Sequence, residues 1–552
     1  MPALWRNPAP RVESAPGRVV LVLRARARYA PGMQPSAPPP TPVAARLAGL
    51  SGAAAALLAL ASGAIAALGF EPVGSIAGPI VGAAMLLLLL AARPAGQSFG
   101  LGFAFGLGHF TLGLWWIATA FTYQAAMPAW MGWVAVIGLS AFLALYPALA
   151  ALAARRLTAR IVPLSLLFAG LFILTEILRG TLFSGFSWNP LGSGWLQLEG
   201  VSAFAAIIGA NGLSGLALLS AGSLAVLLAG RGEPGRLVLA GVFPLLLALG
   251  FIVPAARPSL PAPTGPGFLI VQPNMGQAEK QSPGGFEASL ERLEALTREG
   301  LLRHPDARAI LWPEAAIEYP LEEEAGLRAR LAGLLRPGQT LLTGGVAIER
   351  DLQGLAIGAR NSLYALDHQG RILMRYDKAH LVPGGEYLPL RWLAEPLGLS
   401  RLVPGSLDFL PGPGPKTFRL PGLPAFGPAI CYEIIFPGAI VDGADRPDMI
   451  LTVSNDAWFG PTGPPQHHAQ ARLRAIEEGL PVVRVTPTGI SGFIDPHGAM
   501  VRTIPAHRAG TDMMAVSAPL APTVFARIGL MAPAFFALFL FALGALTLRR
   551  KS

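Results

Sequence analysis

A thiol, a carboxylate and a lysine are the residues of this chain whose types together equip it for chemistry. Cys431 is the only cysteine among 552 residues, so it cannot form a disulfide within the chain and is a free thiol. It follows the short apolar run Phe426-Gly427-Pro428-Ala429-Ile430, which reads as a strand. Glu314 follows another such run, Ile310-Leu311-Trp312, where Pro313 ends the strand and leaves the carboxylate at its C-terminal edge. Lys378 lies in Tyr376-Asp377-Lys378-Ala379-His380-Leu381-Val382-Pro383 and is one of four lysines, with Lys280, Lys416 and Lys551, against 38 arginines. In a chain that uses arginine almost throughout, a retained lysine points to a need for an ammonium, which burial can tune. A thiol near its ordinary pKa is mostly protonated at neutral pH, and a base, a cation or a helix N-terminus is needed to make it a nucleophile. Glu314 offers the base, Lys378 the cation, and a helix expected to begin near Glu433 the dipole. Lys378 and the backbone N–H groups around Cys431 can also hold the oxyanion of a tetrahedral intermediate. Taken singly, a lone cysteine is more often a small buried hydrophobe, and each of the three is more often a salt-bridge partner or packed core.

The elements that must position these groups begin near Gly267. Short apolar runs bounded by Pro and Gly alternate there with charged amphipathic stretches, which predicts a layered α/β domain over about 255–525. Strands are expected at 268–271, 309–312, 340–348, 361–366, 426–430, 449–453, 481–485 and 489–494, and helices at 286–303 and 325–335. Functional groups of such layers gather at the carboxyl ends of strands, so Glu314 and Cys431 can converge. The segment has no glycine-rich phosphate loop, no paired-cysteine motif and no basic stripe with interleaved aromatics, which leaves nucleotide and nucleic-acid binding without support. His467 and His468 beside Gln466 do not predict a metal site, because adjacent histidines on a helix diverge and no carboxylate has ligand spacing to them. Asp456 and Trp458 read as loop-shaping or pocket-lining residues.

The rest of the chain is apolar. The chain as a whole is 53% hydrophobic and only 13% charged, with a net charge of +10. Residues 1–46 form a basic, proline-rich tail expected to be disordered, and a start at Met33 would remove most of it at no cost to the fold. Seven apolar segments follow, near 47–69, 74–92, 99–121, 131–154, 161–178, 201–229 and 237–254, and an eighth lies near 528–548. The first two are separated only by a turn holding Glu71-Pro72, so a re-entrant pair is an alternative there. Arg93, Arg155, Arg156, Arg160, Arg231, Arg236 and the final Arg549-Arg550-Lys551 fall on one side, and the opposite loops contain only Arg179. Positive residues mark the cytoplasmic side, which places 255–525 outside the cytoplasm. On that outer side the aromatic loops 122–130 and 179–200 read as an interfacial belt, or as a platform beside a lipid-accessible opening. Glu176 and Arg179 have the spacing of an i,i+3 pair.

The motifs Trp312-Pro313-Glu314, Lys378-Ala379-His380-Leu381-Val382-Pro383-Gly384-Gly385-Glu386-Tyr387, Cys431-Tyr432-Glu433 and Ser454-Asn455-Asp456-Ala457-Trp458-Phe459-Gly460 resemble those of the bacterial apolipoprotein N-acyltransferases, membrane-anchored members of the nitrilase superfamily. The resemblance covers about 47–550 and includes the loop Phe183-Ser184-Gly185-Phe186-Ser187-Trp188. It implies an integral membrane α-helical bundle of about eight transmembrane helices carrying an α/β nitrilase-like αββα sandwich. The expected division is a tail at 1–46, which lies outside the resemblance, seven spans within 47–254, a periplasmic catalytic domain at 255–525, and an eighth span with a cytoplasmic end at 526–552. Glu314, Lys378 and Cys431 are implied as base, oxyanion-stabilising lysine and nucleophile. Glu386 is implied to support Lys378, and Asn361, Tyr432 and Glu433 to shape a pocket that Trp458 lines. The implied reaction is ping-pong transfer of an acyl chain from a membrane phospholipid, through a thioester, to the α-amino group of a diacylated apolipoprotein in the bacterial inner membrane. No cofactor, metal or nucleic acid is implied, and a monomer is expected. Gly384-Gly385 replaces the more usual Phe-Gly before Glu386, and Thr486-Pro487-Thr488-Gly489 stands where Thr-Asn-Asn-Gly is common, so lid and pocket detail depart from the pattern. The alternatives are a membrane-tethered amidohydrolase, which would pass the acyl group to water, and a non-enzymatic transporter or lipid-binding scaffold.

Overall fold

The computed structural model describes residues 41–124, 127–229, 232–256, 260–398, 400–403 and 407–549. The readings made for 1–40, Met33, Arg231, Arg550 and Lys551 fall outside the described residues.

Every apolar segment expected from the sequence is helical: α1 (Pro42–Ala48) with α2 (Gly52–Ala67), α3 (Ala77–Ala92), α4 (Ser98–Leu114), α5 (Met131–Leu157), α6 (Ile161–Thr181), α7 (Ala205–Ala229), α8 (Arg236–Ala256) and, after the α/β region, α12 (Met531–Arg549). The last residues of the segment read as a tail, 42–46, lie in α1, which Thr41 caps by accepting the Ala44 N–H at 3.3 Å. Among the described residues five helices suffice by length and composition to cross a membrane, or seven if the bent pairs α1–α2 and Ala95–Leu114 with Ile117–Tyr123 are each one span. The expected eighth depends on α3, whose 16 residues extend only about 24 Å against a hydrocarbon core of about 30 Å.

The α/β region is built on two sheets. The strands are β1 (Gly267–Gln272), β2 (Ala307–Leu311), β3 (Thr340–Arg350), β4 (Ala356–Asp367), β5 (Ile372–Asp377), β6 (Phe426–Ile430), β7 (Met449–Val453), β8 (Val482–Val485), β9 (Ser491–Ile494), β10 (Met500–Ile504) and β11 (Gly510–Ala515). One sheet has the order β11-β1-β2-β3-β4-β5 and the other β10-β9-β8-β7-β6. The three strands that the sequence did not announce, β5, β10 and β11, are all edges. These three are each only partly buried along their length, so they lack the continuous apolar run that marks a fully buried strand.

Period-two patterning stacks the layers. Phe268, Ile270, Ala309, Leu311 and Leu342 of the first sheet meet Phe426, Ile430, Met449, Leu451 and Val453 of the second in one buried core. The alternate residues Leu269, Val271 and Ile310 turn outward onto α9 (Gly285–Arg303) and α10 (Ala325–Ala332). On the other side Ala429, Ile450 and Val482 turn onto α11 (Gly463–Glu478). The layers are therefore helix, sheet, sheet, helix. The same outer cluster includes Phe110, Leu114, Trp116, Leu143 and Trp188 of the apolar helices and their loops, so α11 and its sheet are seated against the helical bundle. Helix α7 breaks at Gly209, whose φ of 66° is non-helical, and the freed Ala210 N–H donates to the Glu477 carboxylate of α11 at 2.6 Å.

Candidate active site

Sheet direction explains why residues far apart in sequence meet. Strands β2 and β3 run parallel, and β4 then β5 each reverse, so β2 and β5 point the same way. Glu314 and Lys378, which follow β2 and β5, therefore leave the same end of the first sheet. In the second sheet β6, β7 and β8 are parallel, and Cys431 and Asn455 follow the first two at their carboxyl ends.

The three groups are buried together: Glu314 is 7%, Lys378 1% and Cys431 5% exposed. Glu314 Oε1 accepts from Asn361 Nδ2 at 2.7 Å and lies 3.5 Å from Lys378 Nζ, while its Oε2 accepts the Asn455 N–H at 2.6 Å. Lys378 Nζ also donates to Glu386 Oε1 at 3.0 Å, and Asn361 Nδ2 reaches that same oxygen at 2.9 Å. One ammonium and one amide thus tie two carboxylates together. Gly344 of β3 makes room for the turn that carries Glu314, since a Cβ there would lie 2.6 Å from Glu314 Cα and from two neighbouring backbone atoms. Beneath the turn, the buried Lys280 donates to Ala315 C=O and pairs with Glu318 at 3.0 Å.

Electrostatics hold the lysine charged and the thiol neutral. Burial alone would lower Lys378, but Glu386, Glu314 and Cys431 outweigh it and keep the ammonium above its ordinary value. Burial pushes the Cys431 thiol well above its ordinary value, Glu314 adds to the shift, and Lys378 opposes it. The helix expected near Glu433 is a single 3₁₀ turn, Cys431–Ile435, so it supplies no helix dipole of consequence. The chain turns at Cys431 itself, which has a left-handed φ of 51°. That conformation costs a non-glycine residue on the order of 1 kcal/mol and persists only where neighbours enforce it.

Glu433 is one enforcer. Its Oε2 accepts the Ile430 N–H at 2.7 Å, and its Oε1 accepts from Tyr376 Oη at 2.9 Å and from the Ala379 N–H at 2.8 Å. It staples the cysteine turn to the loop after Lys378, while burial raises its carboxyl and these donors oppose the shift. Tyr432 points the other way, its hydroxyl donating to Gly185 C=O at 3.1 Å in the loop after α6. The neighbouring His380 contacts Ser184 C=O at 2.6 Å and stacks on Phe436 at 3.7 Å. Trp458 lies edge-on to Tyr123 at 5.9 Å, beside the aromatic loop of the helical bundle rather than among the hydrogen bonds around Glu314.

Sequence reasoning missed a second buried group behind the cysteine. His467 Nδ1 is 2.8 Å from Asp456 Oδ1, and the Arg484 guanidinium pairs with Asp456 Oδ2. His467 thus has the carboxylate neighbour that no spacing in the sequence suggested. The thiol, carboxylate and imidazole ligand atoms lie within 4.8 Å of one another. Their geometry is that of a charge-compensated network, because Arg484 already supplies the cation on Asp456 and both imidazole nitrogens face oxygen. The available signal was Arg484, a charge inside the apolar strand Val482–Val485. Gln466 beside it is a junction: its Oε1 lies within hydrogen-bond reach of Trp116 Nε1, Trp188 Nε1 and Asn189 Nδ2, at 3.1, 2.9 and 2.8 Å.

Burial alone would raise Asp456, but Arg484 and His467 hold its carboxyl below the ordinary 3.8. Its contribution to stability is therefore complete above that value and is lost as pH falls through the lower, folded one. Asp456→Asn leaves Arg484 buried without its counter-ion and should cost on the order of 3–5 kcal/mol in denaturant unfolding, while removing this acid limb. A loss under about 1 kcal/mol would show that Ser454 Oγ, at 3.3 Å, and Ile490 C=O, at 3.2 Å, suffice for Arg484.

The comparisons with known proteins divide the chain at the same place as the fold. Residues 62–223 match the family model described as apolipoprotein N-acyltransferase N-terminal domain, and 270–521 match the one described as carbon-nitrogen hydrolase. The chain is 38% identical over 496 residues to the apolipoprotein N-acyltransferase of Allorhizobium ampelinum, covering 87% of this chain and 93% of that protein. It is 36% identical over 488 residues to that of Agrobacterium fabrum, covering 84% and 91%. Among solved structures, an amidase from Nesterenkonia sp. aligns over 49% of this chain and 95% of its own, at 15% identity and a TM-score of 0.33.

Proposed function

This chain belongs to the apolipoprotein N-acyltransferase family, and from that premise we propose how its own residues carry the transfer. It is a membrane enzyme that moves an acyl chain from a phospholipid to the amino terminus of a lipoprotein. Cys431 is the nucleophile. The thiol rests protonated, and as its sulfur bonds to the ester carbonyl carbon of the donor its proton passes to Glu314. Lys378 Nζ stabilises the oxyanion that forms. Collapse breaks the C–O bond, and the departing lysophospholipid oxygen takes the proton back from Glu314. In the second half the acceptor's α-amino nitrogen attacks the thioester carbonyl and Glu314 takes a proton from it. The sulfur leaves and is reprotonated, and the enzyme returns to its starting state. Glu386 and Asn361 keep Lys378 and Glu314 in register, Glu433 fixes the cysteine turn, and Tyr432 and Trp458 face the entry from the membrane.

The observation that carries this reading is the meeting of Glu314, Lys378 and the strained Cys431 turn at one end of both sheets. That end is hydrogen-bonded through Tyr432 to a loop of the apolar helices. Both substrates are lipid-anchored, so a site held beside the bilayer replaces a three-dimensional search by lateral diffusion and orientation. The proposal extends to eight crossings, counting α3 as one, with 47–254 and 526–552 forming the membrane part. It also extends to a catalytic domain at 255–525 on the periplasmic side of the inner membrane, and to a monomeric enzyme. The arginine asymmetry of the loops supports the orientation.

Incubating the protein with phosphatidylethanolamine vesicles and measuring its intact mass tests the reading. One acyl chain should appear on Cys431, be released by hydroxylamine, and discharge onto a diacylated lipopeptide as an amide. Release as free fatty acid in the presence of that acceptor would instead identify a hydrolase.

A further inference from the structure

The left-handed Cys431 turn needs a hold on its C-terminal peptide as well as the one that Glu433 provides at Ile430. His467 Nε2 lies 3.1 Å from the Cys431 carbonyl oxygen and Nδ1 lies 2.8 Å from Asp456 Oδ1. A carbonyl oxygen can only accept, so Nε2 is the donor in its bond to Cys431. The ring is fully buried. Trp188 of the loop after α6 stacks on it at 5.2 Å and 21°, and Phe459 meets it edge-on at 5.5 Å. The charged groups around it are Asp456 and Arg484, whose Nη2 lies 3.3 Å from Nδ1.

We propose that His467 is a positioning residue for the nucleophile, holding the Cys431 carbonyl so that the sulfur stays aimed at Glu314 and Lys378. The inference rests on Cys431 being the acylated residue. Without the Nε2 bond the turn is free to relax from its left-handed conformation, and the sulfur swings with it. Displacements of about 1 Å at a reacting atom can cost on the order of 10²-fold in rate. Because Trp188 is the lid on this ring and belongs to the helical bundle, the bundle is a direct structural neighbour of the group that sets the nucleophile.

Two substitutions separate this role from mere satisfaction of Asp456. His467→Gln can place an amide N–H where Nε2 was and so keep the bond to the Cys431 carbonyl; His467→Asn can replace only the Nδ1 contact with Asp456. His467→Phe keeps the ring and loses both. The readout is formation of the Cys431 acyl-thioester from phosphatidylethanolamine vesicles by the full chain, followed by intact mass and counted per folded molecule. His467→Phe should lower the maximal acylation rate about 10²-fold with the half-saturating lipid concentration within about twofold. His467→Gln should recover to within about tenfold of the unaltered protein, and His467→Asn should not. If His467→Phe fails to fold, the order of the other two decides. Equal losses for Gln and Asn, Asn the better of the two, or a folded His467→Phe at full rate would each overturn the proposal. Absence of any thioester in the unaltered protein would instead remove the premise that Cys431 is acylated.

Discussion

Replacing Cys431 by alanine should leave a protein that binds phospholipid yet never carries its acyl chain, with transfer lowered on the order of 10⁴-fold or more. The size of the effect follows from the reaction's two halves. In the proposed mechanism donor and acceptor never need to meet, because the sulfur would store the acyl group between them, and no other thiol exists in the chain to substitute. The fold should survive. Cys431 contributes a small buried side chain to the intersheet core, and removing one sulfur costs only on the order of 1 kcal/mol. Alanine also tolerates the φ of 51° about as well as cysteine does, so the turn should persist. Hydroxylamine-sensitive labelling that survives in Cys431→Ala would move the acyl carrier elsewhere and sink the mechanism.

Lys378→Met should be nearly as damaging to transfer and far worse for the fold. The ammonium lies between Glu314 and Glu386, at 3.5 and 3.0 Å, and all three side chains are almost fully removed from water. Without it two buried carboxylates share only the Asn361 amide, and both cannot remain ionised at that separation. One must take up a proton, which would compromise Glu314 in its proposed role as base at the same time as the proposed oxyanion loses its cation. A combined loss on the order of 10⁴-fold is expected, with destabilisation on the order of 3–5 kcal/mol. Because Lys378 is held above its ordinary value, its contribution to stability is complete below that value and is lost only as pH rises through the higher, folded one. No titration of this group therefore shapes a pH profile near neutrality. Lys378→Arg should restore little, because a planar fork cannot present one point charge to Glu314, Glu386 and an oxyanion in the same space. Lys378→Arg at full activity would remove the lysine from any specific role.

Some of this site is legible in local chemistry. Cys431 declares itself by being alone, Glu314 by following a proline-terminated strand, and Lys378 by being a lysine in an arginine chain. Strands β1, β6 and β7 are legible because strands buried on both faces are uninterrupted apolar runs. The edges β5, β10 and β11 are not, because half-exposed antiparallel strands resemble loops. The helix imagined after Cys431 failed for a related reason: Tyr-Glu-Ile-Ile has acceptable helix propensity, but Pro437 and Gly438 follow at once and leave room for one turn.

The residue types, their placement at strand ends, and the division into an apolar helical part and an α/β part are properties of the sequence itself, because hydrophobic periodicity and punctuation act over neighbours. Which groups touch was decided only by the tertiary structure. Asn361, from an antiparallel strand, bridges Glu314 and Glu386; Asn455 offers a backbone N–H that no side-chain inventory can reveal. His467, dismissed as half of an unproductive pair, closes on the Cys431 carbonyl because α11 is laid across the end of the second sheet. Contacts of this kind depend on sheet order, strand direction and the packing of one layer on another, which join residues separated by tens to hundreds of positions. Local pattern carries no record of them, and they include a partner of the strained turn at Cys431 that lies 36 positions away.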